Sequence, residues 1–142
     1  MPNVSSLAVA AMVLATTAGL SSCRATSPAA AAARSFYHAL DAQPFDESAI
    51  AALVLPGPGN AEIAQSFGSL ESWAGRVTKN GIMWRAEVVD EAPEGDRTRI
   101  DLVVLFNDGT RRRDRLILVE QDGHWLVDMR TVAGAPAPGP GE

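Results

Sequence analysis

The chain has 142 residues, and setting aside an N-terminal targeting stretch and a small-residue tail leaves roughly a hundred, enough for one domain with one modest core. Its 17 acidic and 12 basic residues give a net charge of -5, with 46% hydrophobic and 20% charged residues, a balance that suits a soluble globular domain and argues against a nucleic-acid partner. The single cysteine, Cys23, excludes an internal disulfide and any cysteine-based zinc cluster, so the fold must hold by packing alone.

Residues Met1 to Gly19 carry an apolar run, Val4 and then Leu7 to Ala15, with the length of a signal-peptide core and too short for a comfortable membrane span. No Lys or Arg precedes that run. It leads into Leu20-Ser21-Ser22-Cys23, an aliphatic residue and two small ones before a cysteine. This resembles the lipobox of bacterial lipoproteins, which implies cleavage between Ser22 and Cys23 and acylation of Cys23. Acyl chains gain about 0.8 kcal/mol per buried methylene, so two or more of them would hold the domain at a bilayer without spanning it. The expected organisation is a lipoprotein signal peptide at 1-22, the lipidated cysteine and a short tether at 23-27, a folded domain at 28-132 and a disordered Ala/Pro/Gly tail at 133-142.

Ser27 followed by Pro28 suits a helix N-cap and first helical position. The helix they open runs to about Asp41, with Ala29, Ala32, Ala33, Phe36, Ala39 and Leu40 on its apolar face, Tyr37 at the edge of that stripe, and Arg34, His38 and Asp41 opposite, as a solvated face. Asp46 caps a second short helix, Glu47 to Leu55, ended by Pro56-Gly57-Pro58-Gly59. Asn60 is the expected cap of a third helix, in which Ile63, Phe67, Leu70, Ala74 and Val77 recur at helical spacing, Trp73 flanks them, and Gly68 and Gly75 weaken the pattern without breaking it.

From Ile82 the apolar period becomes two, and turns at Glu94-Gly95-Asp96, Asn107-Asp108-Gly109 and Asp122-Gly123 divide the remainder into four strands of an antiparallel meander ending near Arg130. A two-residue loop at Asp108-Gly109 would set Arg111, Arg113 and Arg115 opposite Phe106, Val104 and Leu102, placing three arginines on the apolar face. A three-residue loop ending in Gly109 shifts the phase by one and unites Ile100 and Leu102 with Leu116 and Leu118, which is the expected register. It also puts Asp114 in the apolar phase, near the exposed start of its strand. A two-residue turn at Asp122-Gly123 continues the face through Trp125, Val127 and Met129.

Helices around Phe36-Tyr37-His38-Ala39-Leu40-Asp41, then a meander ending in the hairpin at Asp122-Gly123 with Trp125 two residues on, resemble the nuclear transport factor 2-like, cone-shaped fold, and more narrowly small envelope lipoproteins that carry it. The resemblance implies an α+β domain of three N-terminal helices on a curved four-stranded sheet, enclosing an apolar pocket. Tyr37, Trp73, Trp84, Phe106 and Trp125 are the candidate pocket residues, as lining or as filling.

The chain shows no zincin pair, nucleophile elbow or glycine-rich phosphate loop, and neither a metal nor a cofactor is expected. The first expectation is therefore a non-catalytic, membrane-anchored binding or accessory domain outside the cytoplasm of a bacterium. Its partners would be the membrane, through acyl chains on Cys23, and an envelope protein or small apolar ligand, with a homodimer through the sheet as a further partner. The alternatives are a pocket enzyme of the isomerase or dehydratase type, and an anion site for lipid or envelope polymer at Arg111, Arg112, Arg113 and Arg115. The ordinary use of such edge charge is to block strand-to-strand aggregation.

Overall fold

A computed structural model of the chain describes residues 26–132. Ser22, Cys23, the expected signal before them and the expected tail at 133–142 lie outside the described residues. The domain is α+β: helices α1 (Pro28–Leu40), α2 (Glu47–Ala51), α3 (Pro58–Phe67) and α4 (Leu70–Val77) precede strands β1 (Met83–Glu94), β2 (Arg97–Phe106), β3 (Arg111–Gln121) and β4 (His124–Val127). The strands form one antiparallel sheet in the order β1-β2-β3-β4, the meander expected from the turns.

Local chemistry sets the helix boundaries. The Ser27 hydroxyl accepts the Ala30 N–H at 3.0 Å and so caps α1, and the Asp46 carboxylate accepts Ser48 and Ala49 N–H to cap α2. The expected third helix is two. Gly68 takes a φ of +86°, a left-handed conformation that ends α3, and the Ser69 hydroxyl accepts the Ser72 N–H to start α4 afresh. Asn60 is not the cap, because α3 already begins at Pro58 behind Gly57, leaving Asn60 inside its first turn. Helix α2 stops at Ala51 rather than Leu55, since Leu53 and Leu55 exchange backbone hydrogen bonds with Val127 and thereby cover the outer edge of β4. Beyond Val127 the backbone turns into a short 3-10 helix, Met129–Thr131, capped by Asp128, so the last strand is shorter than its pattern.

The hairpin at Asn107-Asp108-Gly109 has the expected three-residue form. Phe106 and Thr110 close it by a 3.0 Å backbone bond, and Gly109 takes the left-handed φ of +82° that its bulge requires. Leu102 therefore faces Asp114 and Ile100 faces Leu116. At the last hairpin Asp122 and Gly123 both have positive φ, as a two-residue turn of the mirror-image type demands, and Leu118 lies opposite Val127.

One sheet face carries Thr98, Ile100, Leu102, Val104, Phe106, Leu116, Leu118 and Val127, all buried beneath the helices. Helix α1 lays Ala29, Ala30, Ala33, Phe36, Tyr37 and Leu40 on this face, and α4 adds Leu70, Trp73, Ala74 and Val77. Phe36 joins the layers, edge-on to Tyr37 at 5.8 Å and tilted against Trp73 at 6.4 Å between ring centroids. Each large side chain fully buried here contributes about 1.5–3 kcal/mol. Strand β1 is bent by irregularities between Met83 and Arg85 and between Val88 and Asp90.

Candidate functional site

The space between α1 and the sheet holds a buried polar constellation that joins the two. The first helix delivers Tyr37 and β3 delivers Asp114 from 77 positions further along the chain, and the Tyr37 hydroxyl donates to Asp114 Oδ2 at 2.6 Å. Arg112, two residues away on the same face of β3, donates from Nε to Oδ1 at 2.6 Å and from Nη2 to Oδ2 at 2.7 Å, a bidentate fork. The Asp114 side chain is 0% exposed and that of Arg112 is 30% exposed, so the guanidinium roofs the carboxylate against solvent. Its outer surface rests 5.3 Å above the Phe106 ring, which also carries the Lys79 ammonium at 4.3 Å.

These contacts govern protonation. Burial pushes the Tyr37 hydroxyl far above its usual range, and the neighbouring Asp114 charge and hydrogen bond push it further, against the smaller pull of Arg112. Hydrogen bonding to Asp114 raises the Arg112 guanidinium, against the burial that lowers it. The arrangement therefore holds a neutral phenol beside the Arg112–Asp114 pair. A proton acceptor for a substrate would need a free carboxylate oxygen facing open space, and both oxygens of Asp114 are occupied.

The expected pocket residues separate. Tyr37 and Trp73 are each 1% exposed and Phe106 is 4% exposed, so all three fill the interior. Trp125 packs partly buried at the margin of that core. Trp84 does not belong to it: the bulge between Met83 and Arg85 gives the inward position to Met83 and leaves Trp84 62% exposed. Asp114 is buried rather than at an exposed strand start, because Tyr37 and Arg112 close over it. Tyr37 is a core residue, not a stripe-edge one.

The arginine run also divides. Arg112 serves Asp114, and Arg115 bonds Asp101 across the outer sheet face at 2.7 Å. Arg111 and Arg113 stay exposed on that outer face without a salt-bridge partner among the described residues, Arg113 adding only a longer-range attraction to Asp101. Arg99 lies between Asp90, Glu94 and Asp101, its Nε 3.4 Å from Asp101 but off hydrogen-bonding geometry. A second buried carboxylate, Asp128, caps the 3-10 helix and pairs with Arg97 and Arg130; burial alone would raise its pKa, and the bonds from Arg130 and Arg97 outweigh that and hold it low. On α1, His38 is exposed, while desolvation raises Asp41 above the usual carboxylate range against the attraction of His38.

Open space lies at the surface. One groove of about 610 Å³ runs past Val89, Asp101 and Arg113, and another of about 650 Å³ separates the start of α1 from β1. Among the described residues no group of three His, Cys, Asp or Glu side chains is placed to hold a metal ion. Sequence reasoning placed Asp114 in the right phase and singled out Tyr37, yet did not join them, for no local pattern signals a contact across 77 positions.

Compared with known proteins, the chain matches no family model and no curated protein. Among solved structures it is similar to a "Putative NTF2-like transpeptidase" from Campylobacter jejuni, with a TM-score of 0.49 and 19% identity over 67% of this chain and 92% of that one.

Proposed function

We propose that the protein is a lipid-anchored domain of the bacterial cell envelope that acts by binding rather than by catalysis. The observation that carries this reading is the filled interior: the sole tyrosine is committed to Asp114, whose carboxylate is saturated by Arg112, and Trp73, Phe36 and Phe106 occupy the space around them. The lipobox-like Leu20-Ser21-Ser22-Cys23 supplies the anchor in this reading, and only Arg24 to Thr26 separate it from the Ser27 cap of α1. Contacts with other molecules then fall to the outer sheet face and the surface grooves. Of the four arginines at the start of β3, two pair with carboxylates of the same chain and two, Arg111 and Arg113, are available to a partner.

Titration with an environment-sensitive naphthylamine dye tests the interior. A packed interior gives no saturable binding by the native protein. Stoichiometric binding that Tyr37→Phe or Trp73→Ala alters, in variants that retain native circular dichroism, would revive the isomerase-type pocket and contradict the proposal.

A further inference from the structure

Trp84 is the most exposed large hydrophobic side chain among the described residues, and the Arg85 guanidinium lies against it. The bulge at this position throws Trp84 and Arg85 to the outer side of β1, where the Arg85 guanidinium stacks 4.4 Å from the indole centroid and pairs with Glu87. Register then lines up the neighbours. Arg85 lies beside Leu105, which lies beside Arg111; in the next row Glu87 lies beside Val103, which lies beside Arg113. Leu105 and Val103 are half-buried, while Arg111 and Arg113 are exposed. The result is an apolar centre with an indole at one side and two arginines without salt-bridge partners at the other, in a chain whose net charge is -5.

We infer that this patch, Trp84, Arg85, Leu105, Arg111 and Arg113, docks the domain onto the anionic head groups of the membrane that holds its anchor. The inference rests on the proposed lipid anchorage and assigns it an orientation. Indole favours the boundary between head groups and acyl chains, where its apolar body and its N–H are both accommodated, and arginine favours anionic phosphates. Charge complementarity selects an anionic surface over a neutral one.

Chain geometry is compatible with both attachments on one plane. The Ser27 hydroxyl donates to the Glu91 carboxylate at 2.7 Å, so the tether leaves the domain beside β1, the edge strand that also carries Trp84. Trp84 and Glu91 are separated by about 20 Å of extended strand. The residues from Cys23 to Ser27 reach about 13 Å, enough to pass around the edge of β1 toward the outer face. Of the four acidic side chains along β1, Glu87 pairs with Arg85, Asp90 and Glu94 share Arg99, and Glu91 accepts the Ser27 hydroxyl.

The test uses the full protein purified from its membrane and reconstituted into phosphatidylglycerol-rich vesicles whose acyl chains carry bromine just below the head groups. Contact quenches tryptophan fluorescence. The expected result is quenching by anionic vesicles that disappears in Trp84→Phe, falls sharply in Arg111→Gln/Arg113→Gln, and is weak in phosphatidylcholine vesicles. Trp73 is buried and serves as an internal reference. Removing the two arginines should weaken docking of protein beginning at Arg24, which carries neither the signal nor the acylated cysteine, roughly 25-fold, from the usual attraction per basic residue. Equal quenching in wild type and Trp84→Phe, equal quenching by neutral and anionic lipid, or none in wild type would each overturn the inference. Failure of the anchor is read separately, as an intact mass without acyl groups, and the protein beginning at Arg24 still reports whether the patch meets lipid.

Discussion

Raising the pH should destabilise this domain through one side chain. Tyr37 is the sole tyrosine, 1% exposed, and its hydroxyl is held well above its ordinary pKa by burial and by the Asp114 carboxylate beside it. A group whose pKa is higher in the folded state binds more protons folded than unfolded once the pH passes its unfolded value, about 10 for tyrosine. The stability it lends is complete below that value and declines above it, by about 1.4 kcal/mol for each further pH unit until the folded pKa is reached. Three units therefore remove about 4 kcal/mol, a large share of the about 5–15 kcal/mol that holds a domain folded. The assay follows ultraviolet absorbance of tyrosinate together with circular dichroism. The two should change together, because the phenol ionises only when the fold opens, and chemical-denaturation stability of Tyr37→Phe should lack this slope. Tyrosinate appearing near pH 10, in about the range of a free phenol and with native dichroism intact, would refute the placement of Tyr37.

Four further outcomes follow from named residues. Asp114→Leu removes the acceptor of a buried hydroxyl and of a half-shielded guanidinium, and should cost about 3 kcal/mol in urea unfolding. Tyr37→Phe/Asp114→Leu should cost clearly less than the sum of the single changes, since the unpaired phenol is gone; strict additivity would contradict the pairing. Asp128→Asn should lose about 1–2 kcal/mol at neutral pH, discounted for the exposure of Arg97 and Arg130, and the difference from wild type should vanish as the pH falls below the unfolded value of about 4 through the lower folded one. Gly68→Ala should lower stability by about 1 kcal/mol in thermal melts, although open space surrounds the position, because its φ of +86° strains any side chain. A neutral or stabilising effect would mean that α3 and α4 are one continuous helix.

The meander was legible because alternation and turn chemistry agree. Three arginines cannot face Phe106, Val104 and Leu102, and that conflict alone selects the bulged turn at Gly109 and with it the placement of Asp114. Bulges within β1 were not legible, since Ile82, Trp84, Ala86 and Val88 keep an unbroken period while the backbone inserts an extra residue and turns Trp84 outward. Gly68 likewise reads as a tolerated helix interior until Ser69 is seen capping a new one. The end of α2 depends on a bridge between Val54 and Val127, residues that no local window contains together. At the site, the residue types were visible and their partnership was not, because Tyr37 and Asp114 meet only once α1 lies across β3.

Intact mass of the protein from its native membrane, wild type beside Cys23→Ser, tests the proposed anchorage most directly. The account predicts a wild-type mass equal to the chain from Cys23 onward plus acyl groups, both lost in the variant. A wild-type chain without acyl groups would contradict it, and the membrane would cease to be the setting in which this domain works.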